Sequence, residues 1–203
     1  MKKSPKQTCL ELRSLGAGAL YHMMTALVVP RPIALVTTMN SAGGVNAAPF
    51  SFFNAICTAP PMLAIAVART RTGQKDTVVN LLREKECVVH IPSVELAEAV
   101  ARCGDALAPD ESEVDANGLL TLPSLKVTPP RLAAAPVQME CVLDRHLELG
   151  KGPLDFLLLE IVEAHVHTDC VSEEGRVCVE KMRPLARLAA SDYCSLGEIF
   201  AQK

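Results

Sequence analysis

The sequence predicts a mainly β fold, a β-barrel with two or three helices on its periphery. Three observations predict it. Short apolar runs recur between proline and glycine punctuation, the pattern of many short strands. Helical periodicity separates only a few of these runs, which argues against an alternating strand–helix order around a parallel sheet. No Gly-x-Gly-x-x-Gly follows a strand, and Gly16-Ala17-Gly18 opens no convincing nucleotide fold.

Taken in order, Ile33 to Met39 is rich in β-branched residues and reads as a strand. Asn40 to Gly44 is the turn, with Gly43 and Gly44 free to take positive φ. Val45 to Thr58 continues as a strand that Pro49 must interrupt or place at an edge, since proline gives no ladder donor. Ala59-Pro60-Pro61 ends it, and Met62 to Ala68 is a short strand suited to a barrel interior. Thr70 to Gln74 is a polar loop. Asp76 or Thr77 caps a helix running to about Glu86, with Val78, Val79, Leu81 and Leu82 on its buried side.

Cys87 to Ile91 is another strand, stopped by Pro92, and Ser93 to Cys103 is a second amphipathic helix with Ser93 as N-cap. Residues 104–136 carry acidic residues (Asp105, Asp110, Glu111, Glu113, Asp115) and scattered prolines, and read as a short helix plus extended connections in a surface excursion. Val137 to Leu149 and Leu154 to His167 are two long strands around Gly150-Lys151-Gly152-Pro153. From Gly175 onward short elements and loops mix.

At 203 residues and 49% hydrophobic content, the chain is long enough to bury a sizeable core as one domain spanning residues 1–203, or at most two small ones. A net charge of −3 with scattered Lys and Arg offers no footprint for nucleic acid. No apolar run approaches the ~20 residues a membrane-crossing helix needs. Lys2, Lys3 and Lys6 are followed by Glu11 and Arg13 rather than an apolar stretch, so a signal peptide is rejected. The eight Cys show no Cys-x-x-Cys; Cys57, Cys87, Cys141 and Cys178 sit in apolar segments and read as reduced, buried thiols of a cytoplasmic protein.

Three of the five Phe fall at Phe50, Phe52 and Phe53, beside Ser51 and Asn54. Core packing is the default reading of such rings, and a platform for a planar ligand is the alternative. If neighbouring strands pair, Thr37 and Thr38 approach this cluster, and Arg69 with Lys75-Asp76-Thr77 follows after the next strand. Hydroxyls, cations and a helix N-terminus together suit a phosphate. Asp76 opposes a phosphate and faces away as a cap, leaving Lys75 and Thr77 to the ligand. The same tripeptide equally starts an ordinary helix, with Arg69 solvated. His165 and His167 share a strand face but lack a third ligand, so a plain surface strand is favoured over a metal site. His90 reads as a hydrogen-bonded polar group. The acidic pairs read as solvated helix faces, and no acid–base or nucleophilic set is evident, as in proteins whose cofactor does the reacting.

The segments PRPIALVTT (residues 30–38) and NAAPFSFFNA (46–55), the Pro60-Pro61 that follows, and Lys75-Asp76-Thr77 before a helix resemble the flavin reductase-like family of FMN-binding split barrels, with flavoredoxins as the nearest group. Val137 to Cys141, Leu159 to Val162, Arg183-Pro184, Leu188, Tyr193 and Gly197-Glu198 match in order, so the resemblance covers about residues 25–200. It implies a six-stranded Greek-key split barrel with peripheral helices and a homodimer with one FMN per subunit. It also implies NADH or NADPH as hydride donor, and free flavin or a partner redox protein as acceptor. Carried over residue by residue, Ala48, Pro49, Phe50, Ser51, Phe52, Phe53 and Asn54 line the isoalloxazine and ribityl chain. Thr37, Thr38, Arg69, Lys75 and Thr77, with Asp76 among them, hold the phosphate end, and Tyr193 approaches the flavin. The resemblance implies no catalytic acid or base. Where the family commonly has glycines between its C-terminal Arg-Leu and Tyr, Ala189-Ala190-Ser191-Asp192 stands here, which alters how closely that loop approaches.

Overall fold

A computed structural model describes residues 6–108, 110–151 and 154–202. The N-terminal Lys2 and Lys3 and the Gly152-Pro153 half of the expected turn lie outside the described residues. In chain order the elements are α1 (Ala17–Leu27), β1 (Arg31–Pro32), β2 (Ala34–Met39), β3 (Val45–Phe50), β4 (Phe53–Thr58), β5 (Pro61–Ala68), α2 (Asp76–Glu84) and β6 (Glu86–Ile91). There follow α3 (Ala97–Arg102), α4 (Glu113–Ala116), β7 (Thr121–Leu122), β8 (Arg131–Leu132), β9 (Val137–Leu149), β10 (Leu154–Val166), α5 (Val179–Met182), β11 (Ala186–Arg187) and β12 (Tyr193–Cys194).

Seven strands form one antiparallel sheet in the order β3-β2-β6-β9-β10-β5-β4. Its two edges, β3 and β4, are consecutive in the chain and joined only by Ser51-Phe52. The segment expected as one strand, Val45 to Thr58, is therefore one bent strand that pairs with β2 on one side of the corner and with β5 on the other. Counted as one, it leaves six members, and the sheet curls round on itself as a barrel. The break falls at Ser51-Phe52. Pro49 stays within β3, at an edge where its missing N–H leaves no gap in the ladder.

Alternation along β2 fills two cores. Ala34 and Val36 face the barrel interior with Leu63, Ile65, Val89, Leu157 and Leu159. Ile33 and Leu35 face outward onto Val100, Val114, Leu132 and Leu185 from the helices, the excursion and the C-terminal segment. β2 is thus covered on both sides, which is why it reads as a continuous apolar run.

Several local expectations change. α2 begins after Lys75, not after a side-chain cap, and it buries Thr77, Val78, Asn80 and Leu81 while Val79 is exposed. Val79 lies two residues from both Thr77 and Leu81, off the face they share. The second helix is a 3-10 turn, Val94–Leu96, followed by α3. Cys87 and Cys141 are buried, but Cys57 is exposed and Cys178 half-buried, because Cys57 lies on the outer edge strand β4. All eight cysteines are free thiols.

The 104–136 excursion is pinned to the barrel by polar side chains. The Thr37 hydroxyl donates to the Pro130 carbonyl (2.8 Å), and His167 Nε2 donates to the Ala133 carbonyl (2.9 Å). Glu140, with no exposed surface, accepts from the Leu125 and Lys126 amides and from His165 Nε2 (2.7 Å). His165 and His167 are therefore half-buried anchors rather than a plain surface pair. Glu113, expected to be solvated, is buried and accepts from the edge amide of Ala47 at 2.9 Å. Glu140→Ala is expected to cost about 2 kcal/mol, since it strips three donors of one acceptor. Urea unfolding measures the loss, and faster amide exchange at Leu125 and Lys126 locates it.

Candidate functional site

The Ser51-Phe52 corner, the N-terminus of α2, α1 and the C-terminal hairpin meet around three adjoining clefts, each walled by Pro49 and Lys75. The first, about 520 Å³, lies between α1 and the Arg187–Tyr193 segment. The second, about 790 Å³, runs along Ser51, Phe52 and the loop Arg69–Gly73. The third, about 410 Å³, lies over the start of α2 between Ala48 and residues 103–107. Each has the size of a small-molecule site.

The corner is rich in unused donors. On the outer edge of β3 the Ala47 amide is taken by Glu113 and Pro49 has none. The amides of Ser51 and Phe52 follow, and neither has a protein acceptor among the described residues, while the Phe52 carbonyl accepts from Ala66. At α2 the Val78 and Val79 amides turn back to the Lys75 carbonyl, leaving those of Asp76 and Thr77 unpaired among the described residues, as helix N-termini do. The Lys75 ammonium stands 5.7 Å from the centre of the Phe50 ring and forms no ion pair among the described residues.

Of the residues expected from sequence, Ala48, Pro49, Phe50, Ser51, Phe52, Arg69, Lys75, Asp76, Thr77 and Tyr193 line these clefts. Thr37 and Thr38 do not. Alternation turns Thr37 toward Pro130 and Thr38 toward α2, where its hydroxyl accepts from Asn80 Nδ2 (3.2 Å), and both are fully buried. Phe53 packs against the barrel core, and Asn54 lies exposed on β4 away from the clefts. Arg69 reaches the second cleft, but its guanidinium is already bound in a fork to Asp155 (3.0 and 2.8 Å) and to Glu148 (2.8 Å). Its charge is spent inside the protein. The Thr77 hydroxyl accepts from Asn46 Nδ2 (3.0 Å), so its amide rather than its side chain is free.

Sequence reasoning passed over Arg31, Tyr21, Thr25 and Arg187. Arg31 is buried and donates to the carbonyls of Thr25, Val28 (2.9 Å) and Leu188 (2.8 Å) and to the Ser51 hydroxyl (3.3 Å). One guanidinium thus ties the end of α1 and the C-terminal segment to the corner. Burial lowers its pKa, yet an arginine stays charged. A signal was present: Arg31 is a cation bracketed by prolines at the head of an apolar strand. Tyr21 stacks on Phe52 at 6.3 Å, and the Arg187 guanidinium lies 4.3 Å from the centre of the Tyr193 ring.

A flavin mononucleotide fits this donor set. Its ring edge carries acceptors that adjacent unpaired amides suit, and its phosphate suits an ammonium beside a helix N-terminus.

The sequence model of the family described as Flavin reductase like domain matches residues 24–194. The crystal structure of nitrilotriacetate monooxygenase component B from Bacillus cereus is 32% identical, with a TM-score of 0.93 over 98% of this chain and 100% of that one. Uncharacterized protein YwrF of Bacillus subtilis is 38% identical over 92% of this chain and 93% of its own length. A split barrel domain protein of Shewanella frigidimarina, 18% identical with a TM-score of 0.83 over 95% of both chains, shares the fold. With the match running from α1 to β12, the chain belongs to the flavin reductase like family, a group of flavin-linked oxidoreductases built on a split barrel.

Proposed function

We propose that the protein binds FMN at the Ser51-Phe52 corner and works as an NAD(P)H-dependent flavin oxidoreductase passing electrons to free flavin or a partner redox protein. The observation that carries this reading is the row of unpaired donors, Ser51 and Phe52 amides, Lys75, and the Asp76 and Thr77 amides, around adjoining clefts. Bound flavin supplies the hydride chemistry. The chain's own work is to hold and orient. The corner amides fix the ring's acceptor edge, Pro49 stiffens the wall beneath it, and Lys75 with the first amides of α2 neutralises the phosphate. The Bacillus cereus relative is a component of a monooxygenase, which supports a partner protein as one acceptor. Exposed Tyr21, Met24, Leu27, Val28 and Val29 on and after α1, with Phe52 and Ile56 nearby in sequence to the corner, supply apolar surface for a second copy, in keeping with a homodimer.

FMN titration followed by flavin fluorescence tests the reading, with stopped-flow bleaching by NADH and NADPH. Lys75→Ala is expected to raise the FMN Kd about tenfold, the loss of one charge-assisted contact, with the fold intact by circular dichroism. Protein that ignores added FMN overturns the proposal. Flavin that dithionite reduces but neither nicotinamide does selects an electron carrier or sensor instead.

A further inference from the structure

The 520 Å³ cleft is lined by more cations than the Lys75 contact proposed for the cofactor phosphate. Arg31, Lys75 and Arg187 line it against a single carboxylate, Asp105. None of the three cations forms an ion pair among the described residues. Their remaining capacity differs. Arg31 has spent four of its five N–H groups on Thr25, Val28, Leu188 and Ser51, so it contributes charge and rigidity. Lys75 is shared with the other two clefts and is assigned above to the cofactor phosphate.

Arg187 is left over. It is half-buried, its guanidinium carbon lies over the Tyr193 ring, and among the described residues only Nη2 has a protein acceptor, the Ala190 carbonyl. Arg31 anchors the carbonyl of the next residue, Leu188, so the backbone that carries Arg187 is fixed. A guanidinium held over a ring, with free donors at a cleft and no ion-pair partner among the described residues, is built to take a planar or tetrahedral oxyanion through paired hydrogen bonds.

We propose that this cleft receives an anionic group, carboxylate or phosphate, of the second reactant, and that Arg187 is the residue that binds it. The proposal rests on the reading that places the FMN phosphate at Lys75 and α2. Such an anion has two sources: the pyrophosphate of a nicotinamide dinucleotide, or a carboxylate on an electron acceptor.

Calorimetric titration of FMN-saturated protein with benzoate, neutral benzamide and inorganic pyrophosphate tests it, in the parent, Arg187→Ala and Arg187→Lys. The parent is expected to bind one of the two anions about tenfold more tightly than benzamide. Arg187→Ala loses that preference, Arg187→Lys recovers part of it, and the FMN Kd stays within about twofold of the parent because no cofactor contact is removed. Preference for pyrophosphate assigns the site to the nicotinamide donor, and preference for benzoate assigns it to the acceptor. Equal binding of benzoate and benzamide without a pyrophosphate response, or a preference that survives in Arg187→Ala, overturns the proposal. A parallel loss of FMN affinity in Arg187→Ala also overturns it, by moving Arg187 to the cofactor phosphate. If FMN does not bind at all, the functional reading fails separately, and the same titrations on cofactor-free protein still decide whether Arg187 holds an anion.

Discussion

Asp155→Ala is expected to lower stability by about 3–5 kcal/mol and to weaken FMN binding in the same variant. Asp155 lies on β10 opposite Val67 of β5, and its carboxylate has no exposed surface. Oδ1 accepts from Gln74 Nε2 (2.7 Å), His146 Nε2 (2.8 Å) and Arg69 Nη2 (2.8 Å), and Oδ2 accepts from Arg69 Nε (3.0 Å). Arg69 and Gln74 bracket the loop that leads from β5 to Lys75, so one buried carboxylate ties both ends of a cleft wall to the barrel. Truncating it leaves buried donors unpaired and the Arg69 guanidinium with only the exposed Glu148 as counter-charge. Burial works to raise the Asp155 pKa, but the hydrogen bonds from Arg69, Gln74 and His146 outweigh it and hold the group at about 2. The unfolded value is about 3.9, so this contribution is complete above about pH 4 and is lost as the pH falls toward 2. Urea midpoints at pH 7 measure the stability, and fluorescence titration measures the FMN Kd. Equal midpoints in variant and parent would show that the loop is held by other contacts. Asp155→Asn, which keeps the shape, separates the charge from the packing.

The barrel was legible because its strands announce themselves locally. Val45 to Thr58, Val137 to Leu149 and the β2 run each carry the composition of a strand, and the prolines mark their ends. Pro49 signals an edge strand, as β3 is, but nothing local marks the corner at Ser51-Phe52, which serves barrel closure, a tertiary demand. The same limit explains the site. Ala48 to Phe52 and Lys75, which line the clefts, are legible as candidates because they adjoin in sequence or follow a strand. Arg69 and Thr37 were drawn to a ligand because nothing local shows that Asp155, 86 residues away, takes the first, or that Pro130, 93 residues away, takes the second. Glu113 was read as solvated for the same reason, its partner being the edge amide of Ala47, 66 residues away.

His90 turns a similar long-range contact into an acid sensitivity. It has no exposed surface; its Nε2 accepts from the Leu132 amide (2.9 Å), so the ring proton sits on Nδ1 and is donated to the Leu35 carbonyl (2.8 Å). The network therefore needs a neutral imidazole. Burial pushes its pKa down to about 4, with the Arg131 charge acting the same way and the Leu35 hydrogen bond opposing. An unfolded histidine titrates near 6.5, so between these values only the unfolded chain takes up the proton. Stability is thus whole above about pH 6.5 and declines as the pH falls toward 4, by about 3 kcal/mol. The buried Glu113 acts in the opposite sense. Its pKa is raised by burial, so its contribution fades as the pH climbs above the ordinary carboxylate range. Comparing the parent with His90→Gln cancels that term. Unfolding free energies from urea should fall between pH 7 and pH 4.5 by about 2 kcal/mol more in the parent than in the variant, which carries no titrating ring. Equal slopes would mean that the imidazole is reached by water and charged in the folded state. Once protonated, Nε2 would face the Leu132 amide donor to donor, and Leu132 belongs to the hairpin that Glu140 and Thr37 also hold. Acid should therefore loosen residues 121–132 before the barrel itself, and amide exchange at pH 4.5 would show that segment losing protection ahead of β2 and β6.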